Sequence, residues 1–140
     1  MTTTSTSVIY CERLSDQLRV KHTADLFGIH FPMRLEPTIF GLAGQLSPDY
    51  DGGFWHFHAL SNGGFYMAPA RDTKFSVLSE NGFDGSMSAD AFGITVCLYA
   101  YSLLAFREDA FAEVCAEHFH LLRMLALNHI EATSILAAID

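Results

Sequence analysis

The chain has 140 residues, of which 50% are hydrophobic, 13% aromatic and 17% charged. That is one domain's worth of sequence, able to bury a core without disulfide or metal staples; it excludes a disordered chain, a collagen-like repeat and a small disulfide scaffold. Asp and Glu number 16 against 8 Lys and Arg, a formal net charge of -8, and the scattered bases offer no cationic stripe for strong direct nucleic-acid binding.

Residues 1–140 read as a single domain whose first residues, 1–7, form a flexible polar tail with neither the basic start nor the apolar run of a secretion signal. Ser15 caps a first helix to about Phe27, with Leu18, Leu26 and Phe27 as its apolar residues and Gly28 as its stop. Beyond Pro32 and Pro37, the segment 38–46 carries Ile39, Phe40, Leu42, Ala43 and Leu46 at helical spacing. Ser47-Pro48-Asp49 breaks it.

Alternation then takes over. In 53–60, Trp55, Phe57 and Ala59 share one face of a strand, and Phe54, His56, His58 and Leu60 share the other. Trp55 is thereby expected to be a core anchor. Ser61-Asn62-Gly63-Gly64 is a turn signal, and 65–68 returns as the second strand. A third strand over 74–79, the Asn81-Gly82 turn and a short strand over 83–87 make a second hairpin, so the pairing should be antiparallel.

The last third is helical. Ser88 caps a helix to about Phe106, and the uncharged stretch 91–106 is too short for the ~20 residues of a membrane span, so it reads as a buried core helix. A helix over 109–127 lines Phe111, Val114, Cys115, His118, Leu121, Leu122 and Leu125 along one face. Asn128 followed by Glu131 has the form of a capping box for a last helix with Ile135, Leu136 and Ile139 inward. The fold class is α+β: an antiparallel sheet of three to four strands packed against four to five helices.

Chemistry-bearing constellations are few. His56 and His58 project from one strand face, a two-ligand metal geometry that Asp49 or Asp51 would have to complete. The plainer alternative is a pair of partly exposed strand residues among aromatic neighbours. His118 and His120 stand about 200° apart on a helix and cannot chelate one ion. The three cysteines, Cys11, Cys97 and Cys115, have no CxxC spacing and read as reduced thiols of a cytoplasmic protein. Neither GxSxG nor a phosphate loop occurs, so no catalytic residue and no cofactor are assigned. Glu108, Asp109, Glu113 and Glu117, near one helix start, are candidates for contact with a basic partner surface; a solvated helix end is the simpler reading.

The block from Leu46 to Pro69, with its Gly-Gly-Phe-Trp and Leu-Ser-Asn-Gly-Gly-Phe-Tyr-Met-Ala-Pro runs, resembles the centre of the ArdB/KlcA antirestriction family. Leu26-Phe27-Gly28 upstream and Asn81-Gly-Phe-Asp-Gly-Ser-Met-Ser-Ala-Asp-Ala-Phe-Gly93 downstream match in order, as does the helical tail from His118. The resemblance covers roughly residues 15 to 140 and departs at His58, where an aromatic such as Tyr is expected, and at Ile130, where a proline is expected. It implies a small cytoplasmic, non-enzymatic product of a plasmid or other mobile element. Such a protein shields incoming DNA from type I restriction enzymes, acting on the enzyme or its DNA-bound complex. The competing readings are a small metal-dependent hydrolase using the His56/His58 face, and an interaction module with another target.

Overall fold

The computed structural model describes residues 8–140; the segment 1–7, expected to be a flexible tail, lies outside the described residues. In chain order the elements are β1 (Cys11–Arg13), α1 (Asp16–Phe27), a π-helical turn (Phe31–Leu35) leading into α2 (Glu36–Leu46), β2 (Trp55–Leu60), β3 (Phe65–Pro69), β4 (Phe75–Leu78), β5 (Asp84–Met87), α3 (Ala89–Ala105), α4 (Ala110–Ala126) and α5 (Ala132–Ile139). The α+β class and the antiparallel pairing are as the sequence predicts. The two hairpins belong to two sheets, a three-stranded one ordered β1-β2-β3 and the separate pair β4-β5.

β1 is an addition that the sequence reading misses. Its three residues are all exposed and show no alternation, so only the partner defines them: Cys11 pairs with Leu60 and Arg13 with His58. In α1, Ser15 caps as expected by accepting from the Leu18 amide (3.2 Å), and Gly28 ends the helix at φ 61°. Leu18 does not face the core. It is 55% exposed, because Thr23 and Phe27 form the buried stripe and Leu18 sits about 140° round the helix from Thr23. The second helix begins earlier than expected. The Glu36 amide reaches back to the Phe31 carbonyl in a π-turn, at the point where Pro37 has no N–H to continue a narrower ladder. Leu35, Ile39 and Ala43 then line its buried face.

Each hairpin turn carries an asparagine that does two jobs. Asn62 Oδ1 accepts from the Gly64 amide (3.0 Å) while its Nδ2 donates to the Leu121 carbonyl of α4 (3.0 Å). Asn81 Oδ1 accepts from the Phe83 amide (3.0 Å) and Nδ2 donates to the Ala137 carbonyl of α5 (2.9 Å). Gly63 and Gly82 follow at φ 94° and 93°, the left-handed region where a Cβ is costly. The turn-forming residues thus also bolt both hairpins to the C-terminal helices.

α3 is the centre of the molecule. Twelve of its 17 residues are buried, consistent with its predominantly apolar sequence. It lies along the open edge of β3. Cys97 Sγ sits 3.5 Å from both the amide and the carbonyl of Met67, and the Tyr101 hydroxyl donates to the Phe65 carbonyl (2.8 Å). Backbone groups that a bare edge strand would present to solvent are covered by a helix. Gly93 permits this closeness: a Cβ there would stand 2.3 Å from the Ala68 Cβ and 2.5 Å from the Met67 carbonyl oxygen.

Trp55 is 2% exposed, wedged against Phe40 and Tyr50, and its indole N–H donates to the Tyr50 hydroxyl (3.3 Å). It is the core anchor that strand alternation predicts. α4 buries Phe111, Cys115, His118 and Leu122 along the expected stripe. At α5 the expected capping box does not form. The helix starts after Glu131 without a side-chain cap, because that carboxylate is committed elsewhere. It accepts from the Ser88 amide (2.9 Å) and hydroxyl at the start of α3. Ile135 is buried, whereas Leu136 and Ile139 are half-buried.

Candidate functional site

Two surfaces carry the side chains singled out from the sequence. The first is the outer face of β2. His56 and His58 do share it, with ring centroids 6.5 Å apart, beside a cleft of about 300 Å³ whose lining includes Arg13, Arg71 and Asp90. Burial pushes the His58 imidazole down to about 4, and His56 is also lowered, first by desolvation and then by Arg13 and Arg19. Both rings are therefore neutral near pH 7. The expected third metal ligand is not brought to them. Asp49 accepts from the Ser76 amide (2.7 Å), and Asp51 is paired with Arg71 (2.8 Å). His58 instead stacks on Tyr66 at 4.6 Å between centroids. Among the described residues, no three His, Cys, Asp or Glu side chains are grouped to hold a metal ion.

Behind that stack runs a hydrogen-bonded chain that no local sequence signal announces. The Tyr66 hydroxyl donates to Asp90 Oδ1 (2.7 Å), and His129 Nε2 meets Asp90 Oδ2 at 2.8 Å. The Glu131 amide donates to His129 Nδ1 (2.9 Å), so Nδ1 is the accepting nitrogen and Nε2 carries the proton toward Asp90. Desolvation opposes the Asp90 charge, yet hydrogen bonds from His129 and Tyr66 outweigh it and hold the carboxyl below its ordinary value. The arrangement has the letters of a catalytic relay, but the hydroxyl beside it is engaged and the thiol raised. Ser88 is occupied as the α3 N-cap, accepting from Ala91 and donating to Glu131, and partial desolvation against the sheet raises the Cys11 thiol although its residue is exposed. Its physical effect is to tie β3, the start of α3 and the α4–α5 link together. Apart from the local Glu131–His129 bond, the partners lie 24 to 43 residues apart in sequence, which is why spacing could not reveal them.

The second surface lies where α3 turns into α4. Glu108, Asp109, Glu113 and Glu117 are all exposed there. Asp109 is not a free contact residue. It caps α4 by accepting from the Ala112 amide (2.9 Å) and pairs with Arg34 (3.1 Å), and these interactions lower its carboxyl pKa, the Ala112 bond most. Glu113 and Glu117 stand one turn apart on the outward side of α4. Between the two helices is a shallow cavity of about 270 Å³ lined by Ala105, Phe106, Ala116, Phe119 and their neighbours. A second hollow of about 560 Å³, bordered by Glu108 and Glu113, shares Ala105 and Ala116 with it. The sequence reading found the acids and missed Phe106, which ends the core helix and is 85% exposed.

Cys97, Cys115 and His118 are packed in the core. Burial raises Cys97 and Cys115 to about 12, far from reactive thiolates. His118 packs against Phe27 at 4.7 Å with its Nδ1 unpartnered among the described residues, and His120 is exposed. Among the described residues no helix is long and apolar enough to cross a membrane.

Residues 48–140 match the antirestriction protein family. The chain is 40% identical over 139 residues to an antirestriction protein KlcA of Escherichia coli, covering 96% of this chain and 95% of that protein. A second Escherichia coli KlcA is 36% identical over 131 residues, covering 91% and 92%. A solved structure, from work on KlcA and ArdB describing a novel fold with antirestriction activity against type I DNA restriction systems in vivo but not in vitro, superposes with a TM-score of 0.89. It has 34% sequence identity and covers 99% of this chain and 100% of that one. With the same fold traced end to end and the family's block seated on the β2–β3 hairpin, the chain belongs to the antirestriction protein family of the ArdB/KlcA type.

Proposed function

We propose that this protein is carried by a mobile element in the cytoplasm of its host and blocks type I restriction of incoming DNA. It does so without catalysis, by contact with the restriction enzyme or its DNA-bound complex. The observation that carries the reading is the full-length likeness to the KlcA/ArdB structure, whose proteins act against type I systems. A formal charge of -8 repels phosphate and favours a protein target, or a protein already assembled on DNA, over naked duplex. The relatives' activity in vivo but not in vitro fits a target state that forms in the cell. Glu108, Glu113 and Glu117 are the free acids available to steer a basic partner surface.

The test is plating of unmodified phage on paired hosts with and without a type I system, each with and without expression of this chain. Plating should rise toward the unrestricted level in the restricting host alone. Unchanged plating there would reject the proposal.

A further inference from the structure

The α3–α4 surface combines three features that its role in the fold does not account for. Phe106 is 85% exposed, although it closes a helix that is otherwise core. The adjoining hollow has a floor of small and aromatic side chains, Ala105, Ala116 and Phe119. It runs on past the same alanines into a stretch bordered by Glu108 and Glu113. Arg107 also lines that stretch and Asp109 is held by Arg34, so the two remaining lining acids, Glu108 and Glu113, outnumber the one base there.

We infer that this groove docks a cationic amphipathic helix of a partner protein. The crease between two antiparallel helices offers a third helix two ridges to lie between, and the apolar floor takes its aliphatic or aromatic stripe. Phe106 lines it as an exposed aromatic anchor, a side chain with a large apolar area to bury at an interface. The carboxylates of Glu108 and Glu113 on the rim, with Glu117 one turn further along α4, outnumber Arg107 there and meet Lys or Arg flanking that stripe. A nucleic acid does not fit, since its phosphates would face the same carboxylates. A second copy fits poorly: a two-fold contact would set the acidic rim against itself. The inference rests on the reading that this protein acts through protein contact, and it names the surface and the partner's chemistry.

The test uses the full chain, with Phe106→Ser, the pair Glu113→Lys/Glu117→Lys, and Ile29→Ser as a control at an exposed apolar side chain on another element. All four residues are exposed, and thermal melts should overlay the wild type. The probe is a fluorescein-labelled peptide of about 18 residues with Leu at helical spacing and Lys on both flanks, long enough to form a helix. Saturable, salt-sensitive binding should weaken about tenfold or more in Phe106→Ser and in the double variant, and stay unchanged in Ile29→Ser. Absence of saturable binding, equal binding by Phe106→Ser, or equal loss in the control would overturn the inference. So would a dimer in sedimentation that Phe106→Ser dissolves, because the groove would then belong to a second copy. The plating assay separates the two readings. A wild type that does not protect, with peptide binding in the expected pattern, rejects the proposed function and supports the groove. A wild type that protects, with Phe106→Ser protecting equally, rejects the groove and spares the function.

Discussion

Gly93→Ala should destabilise the fold by about 2–4 kcal/mol, although alanine is the better helix former by roughly 1 kcal/mol. The added methyl would meet the Ala68 Cβ at 2.3 Å and the Ala68 Cα and Met67 oxygen at 2.5 Å. Carbon contacts are comfortable at about 3.5–4.0 Å, so α3 must retreat from β3 by roughly 1 Å. The obstructing atoms are backbone or fixed to it and cannot swing aside. Retreat stretches the Cys97 contacts to Met67 and the Tyr101 hydrogen bond to Phe65, both wholly buried. Overpacking typically costs ~1–3 kcal/mol, and a buried hydroxyl losing its acceptor a further ~1–3. Less the helix-propensity gain, the sum spans about 1–5 kcal/mol, and the middle of that span is the range given. Gly41 and Gly44 of α2 are the internal control, since a Cβ at either meets nothing within 4 Å. Alanine there should stabilise by up to about 1 kcal/mol. Urea unfolding followed by circular dichroism reads both. With a slope near 2 kcal/mol per molar, the Gly93→Ala midpoint should fall by about 1–2 M at unchanged slope. A Gly93→Ala midpoint at or above the wild type would refute the reasoning, because α3 could then leave the β3 edge without cost.

Trp55→Ala should cost about 3–5 kcal/mol in the same assay, through loss of a large buried side chain; a fully folded variant that loses only protection would make the indole a contact residue instead. His58 makes stability pH-dependent. Its folded value near 4 lies below the ordinary 6.5, so the unfolded chain binds the proton first and stability falls as pH drops from about 6.5 to 4. After discounting for partial solvent screening this amounts to about 1–2 kcal/mol. His58→Gln should flatten that limb in unfolding measured at neutral and acidic pH, and an unchanged limb would show that the ring is not desolvated. Titration of labelled duplex DNA at low salt should give no sub-micromolar, salt-sensitive binding, since a net charge of -8 opposes it.

Local chemistry was legible without coordinates. Caps at Ser15 and Ser88, turns at Asn62-Gly63 and Asn81-Gly82, the alternation through Trp55 and Phe57, and the stripe of α4 depend on neighbours within about four residues, so the sequence alone determines them. The recognisable block from Leu46 to Pro69 led to the family as well. Long-range competition had to be seen in three dimensions. Glu131 has the spacing of a capping-box residue, but Ser88 of α3 claims its carboxylate. Leu18 looks apolar and inward, but the face of α1 is chosen by where Thr23 and Phe27 meet the core. β1 carries no strand signal, and exists because β2 has an open edge beside it. Asp109 reads as a free acid like its neighbours until Arg34, 75 residues earlier, is folded against it. Exposure of Phe106 is likewise a property of the α3–α4 turn, since a phenylalanine closing an apolar run gives no local sign that the core ends one residue before it. Hydrogen-bond donors, carboxylates and apolar surface are allotted among partners far apart in the chain, and only the closed fold decides which of them are left free.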